Sequence, residues 1–235
     1  MLDKNFKIES DQIKKRYDRR KNLSADFYNI LQPDVYKRNQ EFERTLIKWL
    51  KWKNYPNIFE KKIIEIGSGN GGNLLKFVQL GFQPENIIGS ELLQERVEKS
   101  KKILPKEIEI IEGDALELKL LPRSFDIVFQ STVFTSILNS DFQIELAGKM
   151  WNLAKPEGGI LWYDFIYDNP KNKDVKGIPI KRIIELFPEG KIKYWRLTLA
   201  PPISRRVTKI HPNFYNFFNL FPFLRTHVLC WIEKK

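Results

Sequence analysis

Three carboxylates and a run of glycines carry the chemistry of this chain. The stretch Lys62-Ile63-Ile64-Glu65-Ile66-Gly67-Ser68-Gly69-Asn70-Gly71-Gly72-Asn73-Leu74 reads as a short buried strand, a tight turn and the first turn of a helix. Glycines let such a backbone take positive φ and approach a ligand closely. The helix start behind them offers free N–H groups and a partial positive charge. Gly67-x-Gly69-x-x-Gly72 taken alone fits a dinucleotide fingerprint. Glu65 argues against that ligand. It leaves the strand two residues before the first glycine, where a carboxylate would repel a pyrophosphate and suit an ammonium or a sulfonium. Glu91 follows at the end of the next apolar run and Asp114 at the end of the one after. An acidic side chain in the place of Glu91 hydrogen-bonds ribose hydroxyls in nucleotide-binding α/β sheets.

These residues must be held by alternating elements. Helical character is expected over 8–31, with Pro33 interrupting, and over 41–52, where Phe42, Leu46, Ile47, Trp49 and Leu50 recur at helical spacing. Strands are expected at 62–66, 86–90, 108–112, 125–130 and 160–165, and helices at 72–80, closed by Gly81, at 92–104, closed by Pro105, and at 141–154. Residues 155–159 (Lys-Pro-Glu-Gly-Gly) read as a turn. Beyond them lie a helix at 180–187, a strand at 191–199 ending at Pro201-Pro202, an irregular or helical aromatic stretch at 205–221, and a last strand at 226–233. Strands alternating with helices of this length imply an α/β fold with a doubly wound, mostly parallel sheet. Helical residues 1–60 are expected to cap a domain spanning 61–235.

The chain resembles the class I, Rossmann-like S-adenosylmethionine (SAM) methyltransferases. Their first motif is acidic-x-Gly-x-Gly-x-Gly, and Glu65, Gly67, Gly69 and Gly71 fill its four positions. The resemblance implies a seven-stranded sheet with an antiparallel last strand, and SAM as cofactor, released as S-adenosylhomocysteine. It implies that Ser68 and Asn73 belong to the same cradle, that Glu91 and Leu92 meet the ribose, and that Asp114 and Ala115 meet the adenine. Gln130 and Ser131, at the end of the fourth strand, then face the methyl group and the acceptor. A finer resemblance, carried by 162–165, 168–178 and 197–202, is to methyltransferases of bacterial surface-polysaccharide biosynthesis, and implies O-methylation of a sugar hydroxyl in a glycan.

A hydroxyl acceptor needs a base, and a positioned one contributes about 10²–10⁴-fold. Asp164, at the exit of the fifth strand, is the first candidate, expected to point at the pocket. Tyr163 and His211 are the alternatives. The Asn-Pro-Pro-Tyr tetrapeptide of amino-group methyltransferases is missing after the fourth strand, where Gln130-Ser131-Thr132-Val133 stands instead. No His, Cys and Asp cluster has metal-ligand spacing, so no metal is expected.

Composition bounds the rest. In 235 residues there is one cysteine, Cys230, which excludes a disulfide framework. No run of 18 or more apolar residues is present, and the N-terminal residues are charged throughout, without the apolar core of a signal peptide. A cytoplasmic protein is expected, perched at the inner face of the membrane if the aromatic run 214–221 meets lipid. The net charge of +11 is uneven: +5 over 1–60, −3 over 61–165 and +9 over 166–235. Basic flanks around a mildly acidic core point to an anionic glycan or small-molecule acceptor. RNA is a less favoured partner, because no recognised RNA-binding module precedes the core.

Overall fold

The computed structural model describes residues 4–20, 29–170 and 172–235. These form seven strands, β1 (Ile63–Ile66), β2 (Ile87–Glu91), β3 (Glu109–Glu112), β4 (Phe125–Ser131), β5 (Ala154–Phe165), β6 (Lys191–Leu199) and β7 (Arg225–Glu233), joined into one sheet of order β3-β2-β1-β4-β5-β7-β6. Pairings among β3, β2, β1, β4 and β5 are parallel, and β7 runs antiparallel to both β5 and β6. Strand order reverses between β1 and β4, and the crevice there is where open α/β sheets bind ligands.

Side-chain alternation along the strands splits the core in two. Ile63, Ile127, Phe129 and Leu161 point to one face, where helices α2 (Pro33–Lys53), α3 (Gly72–Gln79) and α4 (Gln94–Ile103) supply Leu46, Trp49, Leu74, Phe77 and Val97. Ile64, Ile66, Val128, Ile160 and Trp162 point to the other, covered by α5 (Ser140–Leu153) and α6 (Ile180–Leu186). Each such large side chain, fully buried, contributes about 1.5–3 kcal/mol. Helix α1 (Lys4–Arg20) lies at the carboxyl end of the sheet, its Ile13 joined to the second cluster. Two more helices, α7 (Pro201–Ile210) and α8 (Phe214–Phe218), fill the β6–β7 connection.

The differences from the sequence reading have local causes. The helix expected over 8–31 is α1, ending at Arg20; residues 21–28 lie outside the described residues. Pro33 does not interrupt a helix but occupies the first turn of α2, and Pro201-Pro202 likewise opens α7 rather than closing β6. Proline's fixed φ and missing N–H suit a helix start. The turn expected at 155–159 is a bulge within β5: register jumps from Phe125↔Ala154 to Ile127↔Gly159, and Glu157 there takes φ 62°.

Candidate active site

A cleft of about 310 Å³ opens above the carboxyl ends of β1, β2, β3 and β4. Its floor is the turn after β1. Gly69 takes φ 58°, and a Cβ built on it would meet nothing within 4 Å, because it projects into the open cleft. Gly67 takes φ 71°, and its Cβ would lie 2.5 Å from Cγ2 of Val133. Packing therefore excludes a side chain at Gly67, whereas strain and ligand space exclude one at Gly69. Gly71 also has positive φ and precedes α3.

Glu65 is fully buried behind this turn and does not itself line the cleft. Asn73 lines it, and donates from Nδ2 to Glu65 Oε1 at 2.7 Å. Among the described residues, Glu65 Oε2 and the cleft-lining Ser68 Oγ have no hydrogen-bond partner. Burial pushes the Glu65 carboxyl up to about 8, against the Asn73 hydrogen bond and with help from the neighbouring Glu91 charge. A buried carboxylate with a free oxygen beside a ligand-sized opening is suited to a cationic group.

Glu91 clamps the turn. Its Oε2 accepts from the Gly69 N–H at 2.7 Å and its Oε1 from the Leu93 N–H at 3.0 Å, each oxygen keeps further acceptor capacity, and Glu91 and Leu92 both line the cleft. Asp114 caps the one-turn 3-10 helix Ala115–Glu117, Oδ1 accepting from the Leu116 N–H at 2.9 Å. Asp114 and Ala115 both line the cleft. On the β4 side, Ser131, Thr132, Val133 and Ser136 form the wall. Gln130 is buried beneath them, accepting from the Val133 N–H at 3.0 Å and donating to the Tyr163 carbonyl at 3.4 Å.

Helix α1 closes the cleft from above, which nothing in the local sequence signals. Ser10, Ile13 and Tyr17 line it, Ser10 Oγ donates to Asp114 Oδ2, and Arg96 on α4 lies 4.3 Å from the centre of the Tyr17 ring. A buried ion pair fixes α1: Arg16 meets Glu9 at 2.9 Å and donates to the Ser136 carbonyl at 2.9 Å, while Glu9 Oε1 accepts from the Leu138 N–H at 3.1 Å.

The three residues read as candidate bases stand apart from one another. Asp164 is fully buried and is not among the residues lining the cleft; its carboxyl accepts from the Thr135 N–H at 3.3 Å and the Phe165 N–H at 3.1 Å, and burial pushes it up to about 7. The expected aim of Asp164 into the pocket is replaced by a hold on the 3-10 turn Phe134–Ser136, which carries the cleft wall. Tyr163 points to the opposite face of the sheet. Its hydroxyl lies 3.0 Å from Thr198 Oγ1, its ring stacks 5.3 Å from His227, and burial raises it to about 12. His211 is exposed at the end of α7, with Nδ1 accepting from the Asn213 N–H at 3.2 Å. His227 is held neutral, lowered to about 3 by burial and the Arg38 charge.

Two threonines frame Tyr163 in a conformation that β-branched residues rarely take. Thr132 has φ 57° and donates its N–H to the Tyr163 carbonyl at 2.9 Å; Thr198 has φ 66° and meets the Tyr163 hydroxyl.

Comparison with known proteins bears on the fold that holds these residues. Residues 63–158, from β1 into β5, match the family model of a methyltransferase domain. No curated protein matches the chain in sequence. Among solved structures, it is similar to a SAM-dependent methyltransferase from Archaeoglobus fulgidus, with 14% identity, TM-score 0.58, and 82% of this chain and 94% of that one covered. It is also similar to phosphoethanolamine N-methyltransferase 1 from Haemonchus contortus, solved with phosphoethanolamine and S-adenosylhomocysteine, at 13% identity and TM-score 0.64, covering 97% of this chain and 49% of that one. The [4+2]-cyclase SpnF shares the fold at 10% identity and TM-score 0.55, with 74% and 75% covered. Residues 63–158 thus match a methyltransferase-domain model, and the chain shares the Rossmann-like fold of these solved methyltransferases. At these identities the fold is what is shared, and a fold hosts more than one reaction.

Proposed function

We propose that the protein transfers the methyl group of SAM to a hydroxyl of a sugar in an anionic glycan or a comparable small anionic acceptor. The observation that supports cofactor use is the union, in one cleft, of the glycine turn, Asn73 backed by the orphaned Glu65 oxygen, Glu91 and Asp114. Each sits at the end of a successive strand. When bound, SAM supplies an electrophilic methyl on sulfonium. Glu65 and Asn73 favour a cationic aminoacyl end, Glu91 keeps the turn in shape and offers its lone pairs to ribose hydroxyls, and Asp114 accepts from the adenine amino group. The wall of Ser131, Thr132 and Ser136 presents hydroxyls to the acceptor. Those groups hydrogen-bond a polyhydroxylated substrate and orient it. Alignment of donor and acceptor alone supplies about 7–11 kcal/mol of a barrier.

Asp164 enters as a positioning residue for that wall. The phosphate-bearing substrate of the Haemonchus contortus enzyme supports an anionic acceptor as a class, without naming it. Two measurements test the reading. Calorimetry should show S-adenosylhomocysteine binding that Gly69→Val abolishes. Transfer from labelled SAM should then favour charged glycan acceptors over RNA. Binding of NAD without S-adenosylhomocysteine would remove the cofactor assignment. Methylation of RNA with a steep salt dependence would replace the glycan by a nucleic acid.

A further inference from the structure

We infer that the β6–β7 connection is a membrane-docking surface that seats the protein on an anionic lipid bilayer. Between Leu199 and Arg225 the sequence has no acidic residue and three cations, Arg205, Arg206 and Lys209, of which Arg205 pairs with Asp34 at 3.8 Å. Within this stretch Ile210, Phe217, Leu220 and Phe223 are 75%, 55%, 68% and 72% exposed. The rings are continuous: Phe217 lies 6.0 Å from Phe221, and Phe221 lies 5.8 Å from Phe223. Isolated exposed apolar residues are ordinary, but a joined patch of this kind marks an interaction surface.

The patch is held outward by a built anchor. Tyr215 of α8 is buried and donates to Glu41 Oε2 at 2.6 Å; Asn219 donates to Glu41 Oε1 at 2.6 Å; and Arg225 grips the Asn219 carbonyl at 2.6 and 2.8 Å. Glu41 also accepts from the Thr198 N–H, which ties this anchor to the end of β6. The rings therefore do not have to rearrange to meet a partner.

Charge complementarity selects the partner. Exposed Arg206 and Lys209 lie on α7, the helix that packs on α8, with no carboxylate in the segment to offset them. Aromatic and aliphatic side chains beside cations, on short helices, suit the headgroup boundary of an anionic leaflet. The segment joins the carboxyl end of β6 to the start of β7, at the same end of the sheet as the cleft though across its width, with the Ala200 N–H donating to the Leu224 carbonyl. A protein seated by this patch holds its cleft close to the headgroups, which fits an acceptor carried on lipid. That last step rests on the methyl-transfer reading; the docking itself does not.

The test is co-sedimentation of the full chain with vesicles of phosphatidylcholine alone and of phosphatidylcholine mixed with phosphatidylglycerol. Binding is expected only to the mixed vesicles and should fall with salt. Arg206→Gln and Lys209→Gln should each weaken it roughly fivefold, and Phe217→Glu combined with Phe223→Glu by more than about tenfold. Because these side chains are exposed, Tm and S-adenosylhomocysteine affinity should stay as in the parent. Equal binding by parent and Phe variant, or none to mixed vesicles, would overturn the proposal. So would a dimer in sedimentation velocity that Phe217→Glu dissolves, since the patch would then belong to a second copy. Vesicle binding without S-adenosylhomocysteine binding would instead refute the methyltransferase reading and leave the docking surface standing.

Discussion

Ser10 Oγ on α1 donates a hydrogen bond to Oδ2 of Asp114, the carboxylate that follows β3. On the proposed reading, the helix and the nucleobase of a bound cofactor call on the same acceptor. Asp114→Ala should weaken S-adenosylhomocysteine binding by about 1.5–3 kcal/mol, the value of a hydrogen bond to a charged group. Ser10→Ala should tighten it a few-fold by freeing Oδ2. Calorimetry on the two variants checks both signs, and weaker binding by Ser10→Ala would make the helix part of the cofactor site instead of its competitor.

The Glu9–Arg16 pair is buried on both sides and holds α1 down. Removing one partner leaves a buried charge alone, which costs roughly 3–5 kcal/mol. Arg16→Ala should therefore release α1, seen as faster hydrogen exchange in its amides, while exchange in β1 and β4 stays slow.

Glu65 titrates with a defined sign. Its folded value is raised to about 8 from an ordinary carboxylate value near 4.5. Its contribution to stability is full below the unfolded value and is lost as pH rises through about 8. Asp164, raised to about 7, acts in the same direction. Glu65→Gln should accordingly stabilise the ligand-free protein at about pH 9, above the folded value, and flatten the decline of Tm with alkalinity. A cationic ligand favours the ionised form, so binding at neutral pH should release a proton. Calorimetry in buffers of different ionisation enthalpy would show it, and the release should vanish in Glu65→Gln.

Gly69→Val combines strain at φ 58° with a side chain in the cleft. The strain costs about 1–2 kcal/mol, and ligand binding should disappear in a protein that still folds. Gly67→Ala should do the reverse in emphasis, lowering Tm through its clash with Val133.

For Asp164→Asn, the two backbone donors at Thr135 and Phe165 face one remaining oxygen. A drop in stability of about 1–3 kcal/mol is expected, with cofactor affinity held within a few-fold and kcat lowered. The acidic limb of the pH–rate profile should persist at reduced height. Its loss near pH 7, about where Asp164 titrates, would make Asp164 the base.

What the sequence made legible was local. The β1 turn announces itself because Glu65, four glycines and Asn73 lie within nine positions, and Glu91 and Asp114 are found by counting strand ends. Contacts across the chain leave no such mark: Ser10 and Asp114 are 104 residues apart. Asp164 was placed at the right strand end, but its aim depends on which face of β5 it takes and on the Thr135 N–H that captures it. Pro33 reads as a helix break and Pro201 as a strand end, because proline bars a helix interior and removes a ladder donor, although the same ring favours a helix start.

Thr132 and Thr198 stand in a backbone conformation that asparagine adopts far more readily. Heat resistance is therefore within reach of a single substitution at the cleft wall: relief of about 1 kcal/mol corresponds to a few degrees in a domain of this size. At Thr132, which lines the cleft, such a change also removes a hydroxyl from the wall that we propose meets the acceptor. On that reading thermal endurance and catalytic throughput are opposed at one residue, and a selection for either alone would move it in a different direction.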